Sequence, residues 1–276
     1  TPEQFEKILL SRKTFPKRAT MLTFDDGYLS YKNTMSVLKD YSIPAIFFLS
    51  TPKKLFYWDF LSKTLILTET ILDENYEVFS EILDYLNIDI KIEKTLDKKS
   101  IERIKNWKLP SEEYPFERCK AFYSITNRLE NEDSYSDKSI YKILNKINED
   151  SFNFDFTHSN DTFMKYHTIG SHTSNHFNLR RLQFSDQKKE IIENKIKLEK
   201  NIKKKIRFFA YPFGTREHYN KKSVELVKKY FQFSFSNFQG QIHKDSNHYE
   251  LPRFLVRDWG IEDFKTNIEK FINYKK

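Results

Sequence analysis

Between Ser42 and Ser50 the chain runs Ile-Pro-Ala-Ile-Phe-Phe-Leu, seven residues without one polar side chain. A strand with one wet face alternates apolar and polar residues, whereas an unbroken apolar run requires cover on both faces, the situation of a parallel sheet. Shorter β-prone runs at Ala19–Phe24, His167–Ser171, Arg207–Tyr211, Phe231–Ser236 and Leu251–Val256 read as companion strands. Helical spacing over Tyr28–Tyr41, Ser185–Lys203, Tyr219–Tyr230 and Ile261–Tyr274 sets helices among them. Strand followed by helix, repeated, predicts a parallel α/β sheet or barrel.

One stretch departs from this rhythm. From about residue 56 to residue 156 the chain is charge-rich, has no glycine, and carries helical spacing at Phe79, Leu83, Leu86 and at Ile140, Leu144, Ile147. It reads as a helical insertion into a single domain spanning 1–276, a length sufficient for one large core. No stretch approaches 18 consecutive apolar residues, so no membrane-spanning helix is expected. There is no signal-peptide pattern, and the first residue is Thr1 rather than Met. A truncated or processed N-terminus is therefore expected, and the compartment stays open.

The lone cysteine, Cys119, excludes an internal disulfide framework and a thiolate zinc cluster. Any bound metal must be held by imidazole and carboxylate. The net charge of +8 suits an anionic partner. Six lysines between Lys195 and Lys205 are, however, interleaved with Ile196, Leu198 and Ile202, the pattern of an amphipathic helix with a basic outer face. No nucleic acid is expected. Peripheral contact of such basic faces with a membrane or an anionic glycan remains open.

Glycine is scarce, five in the chain, and three of them sit beside unusual polar clusters that follow predicted strands. These are Asp25-Asp26-Gly27, Gly170-Ser171-His172 and Tyr211-Pro212-Phe213-Gly214. In parallel α/β folds the carboxyl ends of the strands are where sites assemble, so the clusters are expected to converge. Adjacent carboxylates on extended chain point to opposite sides and suit different tasks. His172 and His176, four apart, would share a face if that stretch turns helically. Two histidines and one carboxylate are a usual ligand set for a catalytic metal with an open position. The zincin protease motif requires Glu beside the first His, and Thr173 stands there, so the spare carboxylate is the available base. A non-haem iron oxygenase also uses two histidines and a carboxylate, but the doubled aspartate and α/β alternation argue against it.

The segments Leu22–Tyr28, Ile43–Leu49, Ile169–His176 and Phe208–Gly214, in this order, resemble polysaccharide deacetylases, carbohydrate esterase family four, with the nodulation-type deacetylase homology domain. The resemblance covers most of the chain outside the insertion. It implies a distorted, incomplete (β/α) barrel. It further implies hydrolysis of acetyl groups, N-acetyl before O-acetyl, from a bacterial-type surface polysaccharide or its precursor. By resemblance Asp26, His172 and His176 hold a divalent metal, zinc by default with cobalt, nickel or iron as alternatives. Asp25 is then the general base toward a metal-bound water, and the backbone N–H of Phe213 stabilises the oxyanion. Tyr211 and Trp259, the latter in an Asp258-Trp259 pair, are candidates for substrate contact or base positioning.

Three departures bear on that assignment. Many relatives carry arginine at the position of Ala210, where it tethers the base; Arg253 is the candidate replacement, against a reading as a strand-end surface arginine. The late leucine-histidine motif that supplies the general acid has no clear match, and His243 and His248 are the nearest candidates, against a reading as loop histidines. Asp258-Trp259 falls after the Leu-Pro-Arg stretch rather than in the family's place. A catalytically degenerate glycan-binding protein, or an amidase or deformylase on a small or lipid-linked amide, are the alternatives these departures leave.

Overall fold

The computed structural model describes residues 1–28, 30–52, 56–107, 114–132, 134–146 and 166–274. The chain divides into two compact units, one formed by residues 1–51 and 153–276, the other by residues 52–152.

Among the described residues the first unit carries five strands: β1 (Leu22–Phe24), β2 (Ala45–Leu49), β3 (Thr168–Ser171), β4 (Phe208–Ala210) and β5 (Phe233–Phe235). All pair in parallel, in the order β1-β2-β3-β4-β5, with Phe24 opposite Phe47, Phe47 opposite Ile169, Ser171 opposite Phe209 and Ala210 opposite Phe235. Because the order never reverses, right-handed crossovers put the connecting helices on one face, which curls the sheet into a half-barrel rather than a doubly wound layer. Among the described residues its α-helices are α1 (Pro2–Leu10), α2 (Tyr31–Asp40), α8 (Phe184–Ile202), α9 (Lys221–Tyr230) and α10 (Ile261–Ile272).

Of the apolar run, Ala45–Leu49 forms β2 and is buried along its whole length, while Ile43 stays outside the strand and 40% exposed. The alternate side chains of β2 feed two cores. Ala45, Phe47 and Leu49 join Ile169, Phe209 and the inner faces of α8 and α9 through Ile191, Leu198 and Val227. Ile46 and Phe48 join Phe208, Phe233, Phe235 and, from α1, Phe5 and Leu9. Gly170 is dictated by this packing: a Cβ there would lie 2.3 Å from Cδ1 of Phe48.

The second unit is helical, as the spacing in the sequence predicts. It contains α3 (Tyr57–Leu61) running into a π-helical turn at Ser62–Ile66, then α4 (Asp73–Tyr85), α5 (Lys98–Lys105), α6 (Glu117–Asn131) and α7 (Asp137–Leu144). Phe79, Leu83 and Leu86 are buried along and just beyond α4, and Ile140 and Leu144 on α7. Ile147 lies outside the described residues. Arg118 is fully buried; it donates to the carbonyls of Thr68, Glu69, Glu93 and Lys94 at 2.7–3.2 Å. A guanidinium spread over four carbonyls satisfies its donors and ties two irregular segments together.

Leu251–Val256, expected as a strand, is not one. Leu251 makes a single bridge to Phe235, and the pairing stops there. Pro252 has no N–H to extend it, and the Arg253 N–H donates instead to the Phe238 carbonyl at 2.8 Å. The edge strand β1 is shorter than predicted, beginning at Leu22 rather than Ala19.

Candidate metal centre and active site

The three glycine-flanked clusters meet beyond the carboxyl ends of β1, β3 and β4. The chain leaves β1 in a turn whose Asp26 and Gly27 both have positive φ, +76° and +93°. Glycine tolerates that region freely, whereas an L-residue such as Asp26 occupies it at a cost. The Ser50 N–H, just past β2, donates to the Asp26 carbonyl at 3.1 Å and holds the turn. The two carboxylates therefore face different partners.

Asp26 faces the histidines. One of its oxygens lies 3.5 Å from Nε2 of His172 and 3.4 Å from Nε2 of His176. The donor atoms of all three residues fall within 4.8 Å of one another. An ion bonded tetrahedrally at about 2.0–2.1 Å would hold its donors about 3.4 Å apart, so these side chains fit a metal with little movement. The tautomer supports the same reading. Nδ1 of His172 lies 2.8 Å from the Ala210 carbonyl, which can only accept, so the neutral ring carries its proton there. Its Nε2 lone pair is left pointing toward a carboxylate oxygen, an arrangement of acceptors that a cation resolves. Burial draws the His172 imidazole down, but the charges of Asp25 and Asp26 outweigh it and push it above its ordinary value. At His176 burial wins against the pull of Asp26, taking the ring to about 4, so it presents a lone pair at neutral pH.

The spacing of the two histidines does not come from a helical turn. Thr173 and His176 have φ of +65° and +58°, which no helix accommodates. A loop carries them, clamped from below by α8. Glu190 on that helix accepts from the Asn175 N–H at 2.8 Å and from its side-chain amide at 2.6 Å, while its own carbonyl accepts from the Ser174 N–H at 3.0 Å. Asn194, one turn on, donates to Ser171 Oγ and to the Leu49 carbonyl, each at 2.8 Å. Nothing in the local sequence marks Glu190 or Asn194 as parts of the site; only their place on the helix facing the loop does.

Asp25 faces Arg253. Nη1 and Nη2 of the guanidinium donate to its two oxygens, both at 2.8 Å. Nε of Arg253 donates to the Ser236 carbonyl at 2.9 Å, so the fork is held at both ends. Burial draws the Asp25 carboxyl up, but Arg253, His172 and His176 overcome it and hold it at about 2.

The remaining candidates divide. Phe213 takes φ of +59° in its turn, and its ring packs 4.7 Å from that of His176. The Asn237 N–H fastens that turn by donating to the Gly214 carbonyl at 2.7 Å. Tyr211 is buried, stacked 3.9 Å from Tyr219, with its hydroxyl donating to the Tyr249 carbonyl; its side chain belongs to the core, and the neighbouring Ala210 carbonyl makes the contact with the site. Trp259 sits in the C-terminal aromatic group near Phe271, itself stacked on Phe254. His243 is exposed in a turn with Ser246. His248 packs on Phe233, the first residue of β5, whereas the carboxylates lie past the last residue of β1.

Comparison with known proteins falls on the same residues. The polysaccharide deacetylase family model matches residues 12–65 and 160–231. Among solved structures, the Streptococcus pyogenes deacetylase PplD, in complex with acetate, is similar over 97% of this chain and 78% of its own, at 15% identity and a TM-score of 0.50. IcaB from Ammonifex degensii is similar over 99% and 81% of the two chains, at 15% identity and a TM-score of 0.49. No curated protein sequence matches the chain. The matched segments contain both aspartates and both histidines, stop before Arg253 and leave out most of the inserted unit. Over those segments the chain matches the polysaccharide deacetylase family, hydrolases of carbon–nitrogen bonds other than peptide bonds.

Proposed function

We propose that this chain removes acetyl groups, N-acetyl foremost, from a polysaccharide in a metal-dependent hydrolysis with Asp25 as base. The observation that carries the reading is the division of labour between adjacent carboxylates: Asp26 shares a cluster with His172 and His176, while Asp25 is gripped by Arg253. Asp26, His172 and His176 would hold the ion, and zinc suits two nitrogens and one oxygen. When bound, such an ion supplies a Lewis acid that polarises an acetyl carbonyl and acidifies water beside it.

The chain's own residues perform the rest. Asp25, kept ionised by Arg253, accepts a proton from water as the water attacks the acetyl carbon. The Phe213 N–H, on a turn fixed through Asn237, serves the oxyanion. A carboxyl held near 2 is a modest base but, once protonated, a strong acid. Asp25 therefore returns the proton to the leaving nitrogen as the C–N bond breaks, giving acetate and a free amine. This assigns both proton transfers to one residue and requires neither His243 nor His248. The guanidinium on Asp25 also removes one support of the degenerate-binder alternative, which rested partly on the alanine at position 210.

Acetate release from acetylated glycans by the zinc-loaded protein tests the reading. Asp25→Asn is expected to abolish release while retaining the metal. Unchanged release in that variant would remove Asp25 from the mechanism.

A further inference from the structure

In a parallel sheet every strand starts at one end, so the connections entering the strands share a face opposite the carboxyl-end site. In the strand-bearing unit that face is basic. The connection from α1 into β1 exposes Arg12, Lys13, Lys17 and Arg18. The connection from α8 into β4 exposes Lys203, Lys204 and Lys205, and the end of α9 before β5 exposes Lys229. The acidic groups nearby are mostly engaged: Glu6 with Arg207 at 3.0 Å, Glu199 with Lys195, and Glu225 with Lys228 at 2.9 Å. Asp40, at the end of α2, and Asp245, three residues before His248, are exposed acidic groups outside these pairs. The connection into β3 lies outside the described residues.

Apolar side chains stand exposed among these charges. Tyr41 and Ile43, in the turn entering β2, are 75% and 40% exposed, and Leu10, closing α1, is 59% exposed. Leu10 belongs to this end because Glu6, one turn back, pairs with Arg207 immediately before β4. Arg12 likewise bears on His248, which packs on the first residue of β5. Five strands at about 4.8 Å spacing make the face about 20 Å across.

We propose that this face docks on an anionic lipid bilayer, leaving the Asp25–His176 site at the end away from the membrane. Basic residues alone would serve any polyanion. Leucine, isoleucine and tyrosine interspersed with them fit the headgroup boundary of a bilayer, where lysine and arginine meet anionic lipid and apolar side chains enter the interface. A soluble acidic polymer gives Leu10 and Ile43 nothing to bury against. The docking does not depend on the chemistry proposed for the site.

The test is sedimentation of the full chain with vesicles of phosphatidylglycerol and phosphatidylcholine, against phosphatidylcholine alone, in about 0.1 M salt. Binding is expected to the anionic vesicles only and to weaken as salt rises. The triple variant Lys203→Glu, Lys204→Glu, Lys205→Glu should lower it about 100-fold or more, on the scale of one lysine at a charged surface. The pair Lys221→Glu, Lys222→Glu, opening α9 at the catalytic end, should leave it within twofold. Tyr41→Ser should weaken vesicle binding several-fold and leave retention on inorganic polyphosphate unchanged. Circular dichroism establishes that each variant folds, and the milder pair Arg18→Gln, Lys205→Gln carries the test if the triple does not. No binding to anionic vesicles, or equal loss from the Lys221/Lys222 control pair, would overturn the proposal. Retention on polyphosphate without vesicle binding would overturn it in favour of an acidic polymer.

Discussion

Arg253 and Asp25, 228 residues apart in sequence, form a two-pronged ion pair in which the two terminal guanidinium nitrogens donate at 2.8 Å, one to each carboxylate oxygen. The fork fixes the carboxylate plane as well as its charge, which a lysine could not do. Arg253→Lys is therefore expected to lower the rate of acetate release by roughly 10- to 100-fold, a share of what a positioned base contributes. With the guanidinium gone the Asp25 carboxyl rises from about 2, so the acid limb of the pH–rate profile moves upward. Metal content should stay at the wild-type level. A fall in rate with an unmoved acid limb would mean Arg253 acts by some route other than Asp25.

The same pair predicts a contribution to stability with a definite pH window. Asp25 falls from 3.8 to about 2 on folding, so its ionised form is favoured in the native state. That contribution is complete above about pH 4 and is lost as pH falls through about 2, and it amounts to about 2 kcal/mol. Asp25→Asn removes it. Denaturant melts of the two proteins should accordingly differ more at pH 5 than at pH 2, and parallel curves would contradict the assignment.

Metal retention is expected to depend on His172, His176 and Asp26 together. Elemental analysis after zinc loading and desalting should find one ion per chain in the wild type and none in His172→Ala, His176→Ala. Asp26→Ala should bind far more weakly. An ion retained by the double histidine variant would place the metal elsewhere.

Glu190 is expected to act on the metal without touching it. It holds Asn175, between the two ligands on a loop whose Thr173 and His176 occupy the left-handed region. Glu190→Ala releases that loop, and zinc affinity should drop roughly 10- to 100-fold, the usual scale for residues that orient ligands. Circular dichroism should show the fold retained. Unaltered affinity would mean the loop holds its shape unaided.

Gly170→Ala tests the packing that seats the site. Its new methyl would sit 2.3 Å from the Phe48 ring inside the sheet, with both neighbours fixed by strand pairing. Overpacking of this kind costs about 1–3 kcal/mol and more where backbone cannot shift. The melting temperature should fall by several degrees.

Much of this was legible in the sequence because it depends on neighbours along the chain. An unbroken apolar run such as Ala45–Leu49 can be satisfied only between two covered faces, and scarce glycines beside Asp26 and Phe213 mark turns where backbone must bend abruptly. The candidate ligand types could be named from residue chemistry, and the inserted helices from spacing at Phe79, Leu83 and Ile140. What depends on distant parts of the chain could not be read. Leu251–Val256 has the composition of a strand, but its pairing stops at Leu251, where Pro252 has no N–H to give and Arg253 turns to Asp25. His172 and His176 have helical spacing, yet Glu190, from another element, fixes them in a left-handed loop. Arg253, Glu190 and the clustering of lysines where the strands begin became visible only once parallel pairing had set which ends of the strands lie together. Local preference is written residue by residue; which charges meet is decided by how the strands stack.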